Sequence, residues 1–134
     1  MKVFVDSAAW IALLNTRDGM HTNAIEINKN LRKQNAALVT TEFVLLEVAD
    51  ALCVPPLRQK FVNFFEDFYQ LANLQIIEVS HSLLMEGLKL YKQRGDKNWS
   101  LTDCISFVVM TQEGIDRAFT SDRHFEQAGF IKLL

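Results

Sequence analysis

The sequence predicts an α/β domain of three layers, α/β/α, built on a five-stranded, mainly parallel sheet. Three features point there. Five short β-rich runs alternate with helical stretches along the chain, the pattern of strands joined by helical crossovers. Of the 134 residues, 49% are apolar, enough for the core of one ordinary domain without disulfide or metal staples. No linker, repeat or low-complexity run interrupts the pattern, so residues 1–134 read as a single domain, and a charged fraction of 22% argues against disorder.

The elements follow in order. Lys2–Asp6 (KVFVD) is a β-rich run ending in an acid, Ser7–Asn15 (SAAWIALLN) a helix, and Thr16–Gly19 (TRDG) a turn. A second helix is expected from about Met20 to Gln34, with Ala24, Ile25, Ile27 and Leu31 inward, before a short strand, Ala37–Thr40. Thr41–Val54 reads as a helix that Pro55-Pro56 punctuates, and Leu57–Asn73 as another. Gln75–Ser80 is a strand, Ser82–Arg94 a helix with Gly95 just past its end, and Leu101–Gln112 an almost wholly apolar helix. Arg117–Ser121, a helical turn at His124–Ala128, and Phe130–Leu134 complete the chain. In such a sheet, ligands bind outside the carboxyl ends of the strands.

Four carboxylates stand out against this frame. Asp6 ends the first strand and Asp122 directly follows the fourth, so both belong on that rim. Glu47 sits among Phe43, Val44, Leu45, Leu46, Val48 and Ala49, where a lone ionised carboxylate would cost several kcal/mol. Asp103 opens the apolar helix. Each has a plain structural account. Asp6 could end a strand and cap the next helix, Asp122 could form a turn, Glu47 could pair with a buried Arg or Lys, and Asp103 could complete an S-x-x-D capping box with Ser100. If instead the four converge, their mutual repulsion calls for a cation. Oxygen ligands favour a hard ion, Mg²⁺ or Mn²⁺, and the chemistry such a centre serves is phosphodiester hydrolysis.

The blocks VDSAAWIALLN, TTEFVLLEVADAL, WSLTDCISFVVM and FTSDRHFEQAGF, in this order and spacing, resemble those of PIN-domain ribonucleases, most of all the VapC-type toxins of toxin–antitoxin pairs. The resemblance implies a three-layer α/β fold, Mg²⁺- or Mn²⁺-dependent cleavage of RNA, dimers, and often a cognate antitoxin that blocks the site. It places the family's four metal-binding catalytic acids on Asp6, Glu47, Asp103 and Asp122. Ser7, Thr102 and Thr120 match positions where the family often carries a hydroxyl near the metal. Ala8 departs from the Ser or Asn that many members have there.

Other signals are local. Asp96 is either a fifth acid near the site or a loop aspartate past a helix end, whereas Glu42 reads as a solvated first-turn acid. His21, His81 and His124 share no ligand spacing and are not expected to act. A net charge of −2 gives no global field for a polyanion. RNA contact therefore falls to a local patch, Lys89, Lys92, Arg94, Lys97 and Trp99, with Arg123 beside Asp122. The same cations also suit a helix C-terminus. Phe61, Phe64, Phe65 and Phe68 form a stripe at helical spacing, either core or a groove for a partner. Cys53 and Cys104 read as reduced core thiols, and no membrane span or signal peptide is evident, which makes the cytoplasm the expected compartment.

Two other classes compete with a nuclease. A phosphoryl-accepting receiver domain needs paired acids after the first strand, but Ser7 and Ala8 follow Asp6, and its late lysine has only Lys132, inside the last strand. A non-catalytic PIN-fold module binding RNA or protein would have no need of all four acids.

Overall fold

A computed structural model describes all 134 residues. The elements are β1 (Lys2–Val5), α1 (Ser7–Leu14), α2 (His21–Lys33), β2 (Ala37–Thr41), α3 (Glu42–Ala51), α4 (Leu57–Phe68), β3 (Leu74–Ile77), α5 (His81–Gln93), α6 (Leu101–Gln112), β4 (Arg117–Phe119), α7 (Arg123–Gln127) and β5 (Ile131–Lys132). The five strands form one sheet in the order β3-β2-β1-β4-β5, and every pair is parallel.

This order decides where the helices go. From β1 the chain steps outward to β2 and β3, then returns to the other side of β1 for β4 and β5. Right-handed crossovers therefore place α1–α4 on one face and α5–α7 on the other. The packing agrees: α1 touches α2, α3 and α4, while α6 touches α5 and α7, and α3 also reaches α6. The central strand is covered on both sides, which is why Val3, Phe4 and Val5 are all apolar and all buried. The reversal of direction between β1 and β4 opens a crevice above their carboxyl ends.

Several boundaries differ from those expected. α3 stops at Ala51, with Leu52 as its C-cap, so Cys53 and Val54 lie outside the helix ahead of Pro55. Cys53 is consequently exposed rather than in the core, whereas Cys104 is buried as expected; both are free thiols. β3 ends at Ile77, and beyond it the Val79 N–H donates to Glu42 Oε1 at 2.8 Å instead of to a neighbouring strand. Glu42 also accepts from the Tyr69 hydroxyl at 2.8 Å, so it ties α3 to the end of α4 and is more than a solvated acid. Of the four inward positions expected on α2, Ala24 and Leu31 are buried, and Ile25 and Ile27 only half-buried.

The phenylalanine stripe divides. Phe64 and Phe68 pack on Trp10 with ring centroids 5.4 and 4.7 Å away. Phe61 and Phe65 instead line a groove of about 230 Å³ with Glu42, Leu45, Leu46, Ala49 and Val79.

α5 and α6 approach closely at Gly87. A Cβ there would overlap Ile105 Cγ1 and lie 3.2 Å from the Ile105 Cα. Gly87→Val should cost roughly 1–3 kcal/mol, as overpacking does, and lower the thermal midpoint by several degrees. Combined with Ile105→Ala it should cost less than the two single changes summed, a coupling that a double-mutant cycle of melting curves measures.

Candidate active site

The crevice between β1 and β4 is where the acids gather. Asp6 follows β1 and is 3% exposed. It occupies the N-cap position of α1, yet its side chain caps nothing. Its Oδ2 instead accepts the Thr120 hydroxyl across the crevice at 2.8 Å. Thr120 Oγ1 in turn accepts the Asp122 N–H at 3.0 Å, which ties the residue after β4 to the one after β1. Thr40 supports this rim from β2: its hydroxyl donates to the Val5 carbonyl at 2.8 Å and accepts the Trp10 Nε1–H at 3.3 Å.

Asp103 comes from the opposite helical layer. Ser100 Oγ accepts the Asp103 N–H at 3.0 Å while Asp103 Oδ2 accepts the Ser100 N–H at 3.1 Å, a complete capping box. Both accounts of Asp103 hold at once, because the box locks a carboxylate that also faces the other acids. Glu47 projects from the middle of α3. It is half-buried, less enclosed than its apolar neighbours suggested, since Leu46 beside it is 58% exposed. Ser7 Oγ donates to Glu47 Oε1. Asp122 caps α7, its Oδ1 accepting the His124 N–H at 2.9 Å.

These positions make the carboxylates uncomfortable. Burial is the main reason the Asp6 pKa rises to about 7; the Thr120 hydroxyl and the Ser7 N–H oppose the rise, and the charges of Glu47 and Asp103 add to it. Burial also raises Glu47, with Asp103 and Asp122 contributing and Ser7 opposing. Asp103 is raised by burial first and by Asp122, while the Ser100 N–H and His124 work against it. No lysine or arginine pairs with any of the four; the one basic side chain within ion-pair distance of any of them is His124. Its Nδ1 lies 3.2 Å from Asp103 Oδ2 and 3.3 Å from Asp122 Oδ1. Asp103, Asp122 and His124 thus offer one ligand atom each, all within 4.8 Å of one another. Buried oxygens that repel one another and lack a protein cation suit a divalent metal ion.

The remaining expected residues divide. Ser7 and Thr120 each bond one of the four acids, whereas Thr102, half-buried in the first turn of α6, bonds none of them. Asp96 does not reach the cluster. It is exposed and held by Arg94 through two bonds of 3.0 and 3.1 Å, which also keep its pKa low. Arg94 is thereby engaged, with its guanidinium 5.0 Å above the Trp99 ring. Trp99 is itself buried, edge-on to Phe107 and donating to Gln127, so it offers no free face to a base. Lys89, Lys92, Lys97 and Arg123 have no carboxylate partner.

Along the sequence there was no reason to place His124 here, yet it stands beside Asp103 and Asp122. Histidine spacing gave no hint, but its place two residues after Asp122, in the first turn of the helix Asp122 caps, is the signal that could have found it.

Comparison with known proteins bears on this arrangement. The 23S rRNA-specific endonuclease VapC20 of Mycobacterium tuberculosis is 24% identical over 131 residues, 98% of this chain and 97% of that protein. The crystal structure of the same mycobacterial protein, described as a sarcin-ricin loop cleaving toxin, superposes with a TM-score of 0.82 at 25% identity, covering 96% of each chain. VapBC2 from Rickettsia felis, solved with a fragment of its promoter DNA, shares the fold at TM-score 0.68 and 16% identity, over 98% of this chain and 97% of that one. FitAcB from Neisseria gonorrhoeae shares it at 0.66 and 13%, over 100% and 97%. The PIN domain model matches residues 3–131. That match runs from β1 into β5 and takes in all four acids, so the chain belongs to the PIN domain family.

Proposed function

We propose that this protein is a metal-dependent endoribonuclease using Mg²⁺ or Mn²⁺, the toxin of a toxin–antitoxin pair. One observation carries the reading: Asp103 and Asp122 lie with His124 within 4.8 Å of one another, Asp6 is tied to the same rim through Thr120, Glu47 stands near enough for its charge to act on Asp6, and no lysine or arginine pairs with any of the four. The family relationship and the mycobacterial rRNA endonuclease support it.

Asp6, Glu47, Asp103 and Asp122 would hold the ion. When bound, a divalent ion of this kind lowers the pKa of water and neutralises charge on the phosphate being attacked. The protein supplies positioning. Thr120 fixes one oxygen of Asp6, Ser7 fixes Glu47, and the Ser100 box and the α7 cap orient Asp103 and Asp122. Such outlying bonds keep ligands aimed before an ion arrives. The test is cleavage of a total-RNA pool with Mn²⁺, beside an EDTA control and the Asp103→Asn variant. Cleavage that persists in EDTA would end the proposal.

RNA enters through its phosphates. Lys97 lies in the loop before the Asp103 helix, Arg123 directly follows Asp122, and neither has a carboxylate partner. Replacing either by Gln should weaken RNA binding uniformly across sequences and reduce the slope of log affinity against log salt by about 1. Filter binding at several salt concentrations measures this.

The same proposal includes the partner. The groove of Phe61, Phe65, Leu45 and Leu46 is apolar and open, with Val62 and Val54 also exposed, a surface suited to an apolar segment of an antitoxin. A homodimer in the cytoplasm completes the reading. Light scattering on the purified chain reads the first of these directly.

A further inference from the structure

The geometry points to His124 as a nitrogen ligand in the same centre, one that shifts its preference from Mg²⁺ towards Mn²⁺. The inference rests on the metal-dependent reading above and adds to it a residue outside the four acids.

Two ligands bound side by side on an octahedral ion at about 2.1 Å lie about 3 Å apart. His124 Nδ1 stands 3.2 Å from Asp103 Oδ2 and 3.3 Å from Asp122 Oδ1. Nδ1 therefore stands from each of these oxygens at the spacing of a neighbouring ligand, a contact that without an ion serves as a hydrogen bond to Asp103, and all three groups lie within 4.8 Å of one another. The placement is built in, because the His124 N–H donates to Asp122 Oδ1 at 2.9 Å and holds the ring on the first turn of α7. The following residue, Phe125, is fully buried against Phe4 and Phe107, which anchors that turn to the core. Glu47 and Asp6 approach the same crevice from α3 and β1.

An imidazole among carboxylates changes which ion the centre favours. Mg²⁺ is a hard ion held chiefly by oxygen, whereas a nitrogen donor strengthens binding of first-row transition ions, Mn²⁺ among them. Coordination through Nδ1 needs its lone pair, so the ring proton resides on Nε2 in the loaded protein. The other histidines do not compete: His21 Nδ1 is bonded to the Ala12 carbonyl at 2.7 Å, and His81 is exposed at the start of α5.

The experiment loads the wild-type protein with Mn²⁺ alone and records pulsed electron paramagnetic resonance for nitrogen coupled to the ion. Mg²⁺ is then titrated in as competitor. Wild type should show a coupled imidazole nitrogen that His21→Gln retains and His124→Gln loses. Mn²⁺-over-Mg²⁺ discrimination should fall by about tenfold in His124→Gln. Mn²⁺ binding without a coupled imidazole nitrogen in wild type, which needs no variant to fold, overturns the assignment of His124 alone. Failure of wild type to bind Mn²⁺ at all overturns the metal centre and this ligand together.

Discussion

Asp103→Asn should reduce RNA cleavage by about 10³-fold or more while leaving the thermal midpoint within a few degrees of wild type. The size follows from the role proposed for the carboxylate: removing one preorganised charge from a buried reacting site commonly costs 10²–10³, and binding of the ion that Asp103 would help hold would be weakened as well. The fold survives because the substitution keeps an acceptor oxygen for the Ser100 N–H, and the Ser100 hydroxyl still accepts the N–H of residue 103. Asp6→Asn should be equally inactive. Gel assays with Mn²⁺ and circular dichroism melts on the same preparations separate lost chemistry from lost structure. An active Asp103→Asn protein with an unchanged melt contradicts the assignment.

The second large effect concerns pH. Metal-free protein should lose stability as pH rises from about 4 to about 7, opposite to the behaviour of a salt-bridged carboxylate. The sign comes from Asp6, whose pKa climbs from 3.8 in the open chain to about 7 in the folded one. Between those values the native state binds more protons than the unfolded state, so stability falls as pH increases. Glu47 and Asp103 shift in the same direction and add to the loss. Saturating Mn²⁺ should offset it by holding the carboxylates in their charged form, so the metal should raise the midpoint far more at pH 8 than at pH 5. A difference of roughly 5–10 °C is expected for a loss of a few kcal/mol in a domain of this size. Asp6→Asn offers a sharp check: at pH 8 without metal it should melt above wild type, because it removes a buried charge that has no cationic partner. Differential scanning calorimetry across the pH range, with and without Mn²⁺, gives all of these values.

Much of this was legible along the chain. The alternation of β-rich runs with helical ones led to the right class and to a parallel sheet between two helical layers because each run records its own burial, and β1 shows the near-continuous apolar pattern of a strand covered on both faces. Asp6 and Asp122 could be placed on the rim for the same reason: each stands at a strand end, and a strand end is a local feature. Asp103 was visible as half of a capping box, a pattern spanning four residues.

Where the sequence left alternatives open, contacts decided between them. Asp96 was a candidate for the acidic cluster, but Arg94 two residues away takes both its oxygens. Trp99 looked available to a base until Phe107 and Gln127 enclosed it. The phenylalanine stripe was treated as one surface, whereas Trp10 draws Phe64 and Phe68 inward and leaves Phe61 and Phe65 on a groove.

By itself, then, the sequence determined the fold class, the run of elements and the identity of four charged side chains too awkward to leave unexplained, since propensity, capping and hydrophobic periodicity act over a few residues. Only the tertiary structure decided which groups meet. Thr120 reaches Asp6 across 114 positions of chain, and His124 reaches Asp103 across 21. Contacts that distant depend on strand order and crossover handedness, which set the crevice between β1 and β4 and with it the company each carboxylate keeps.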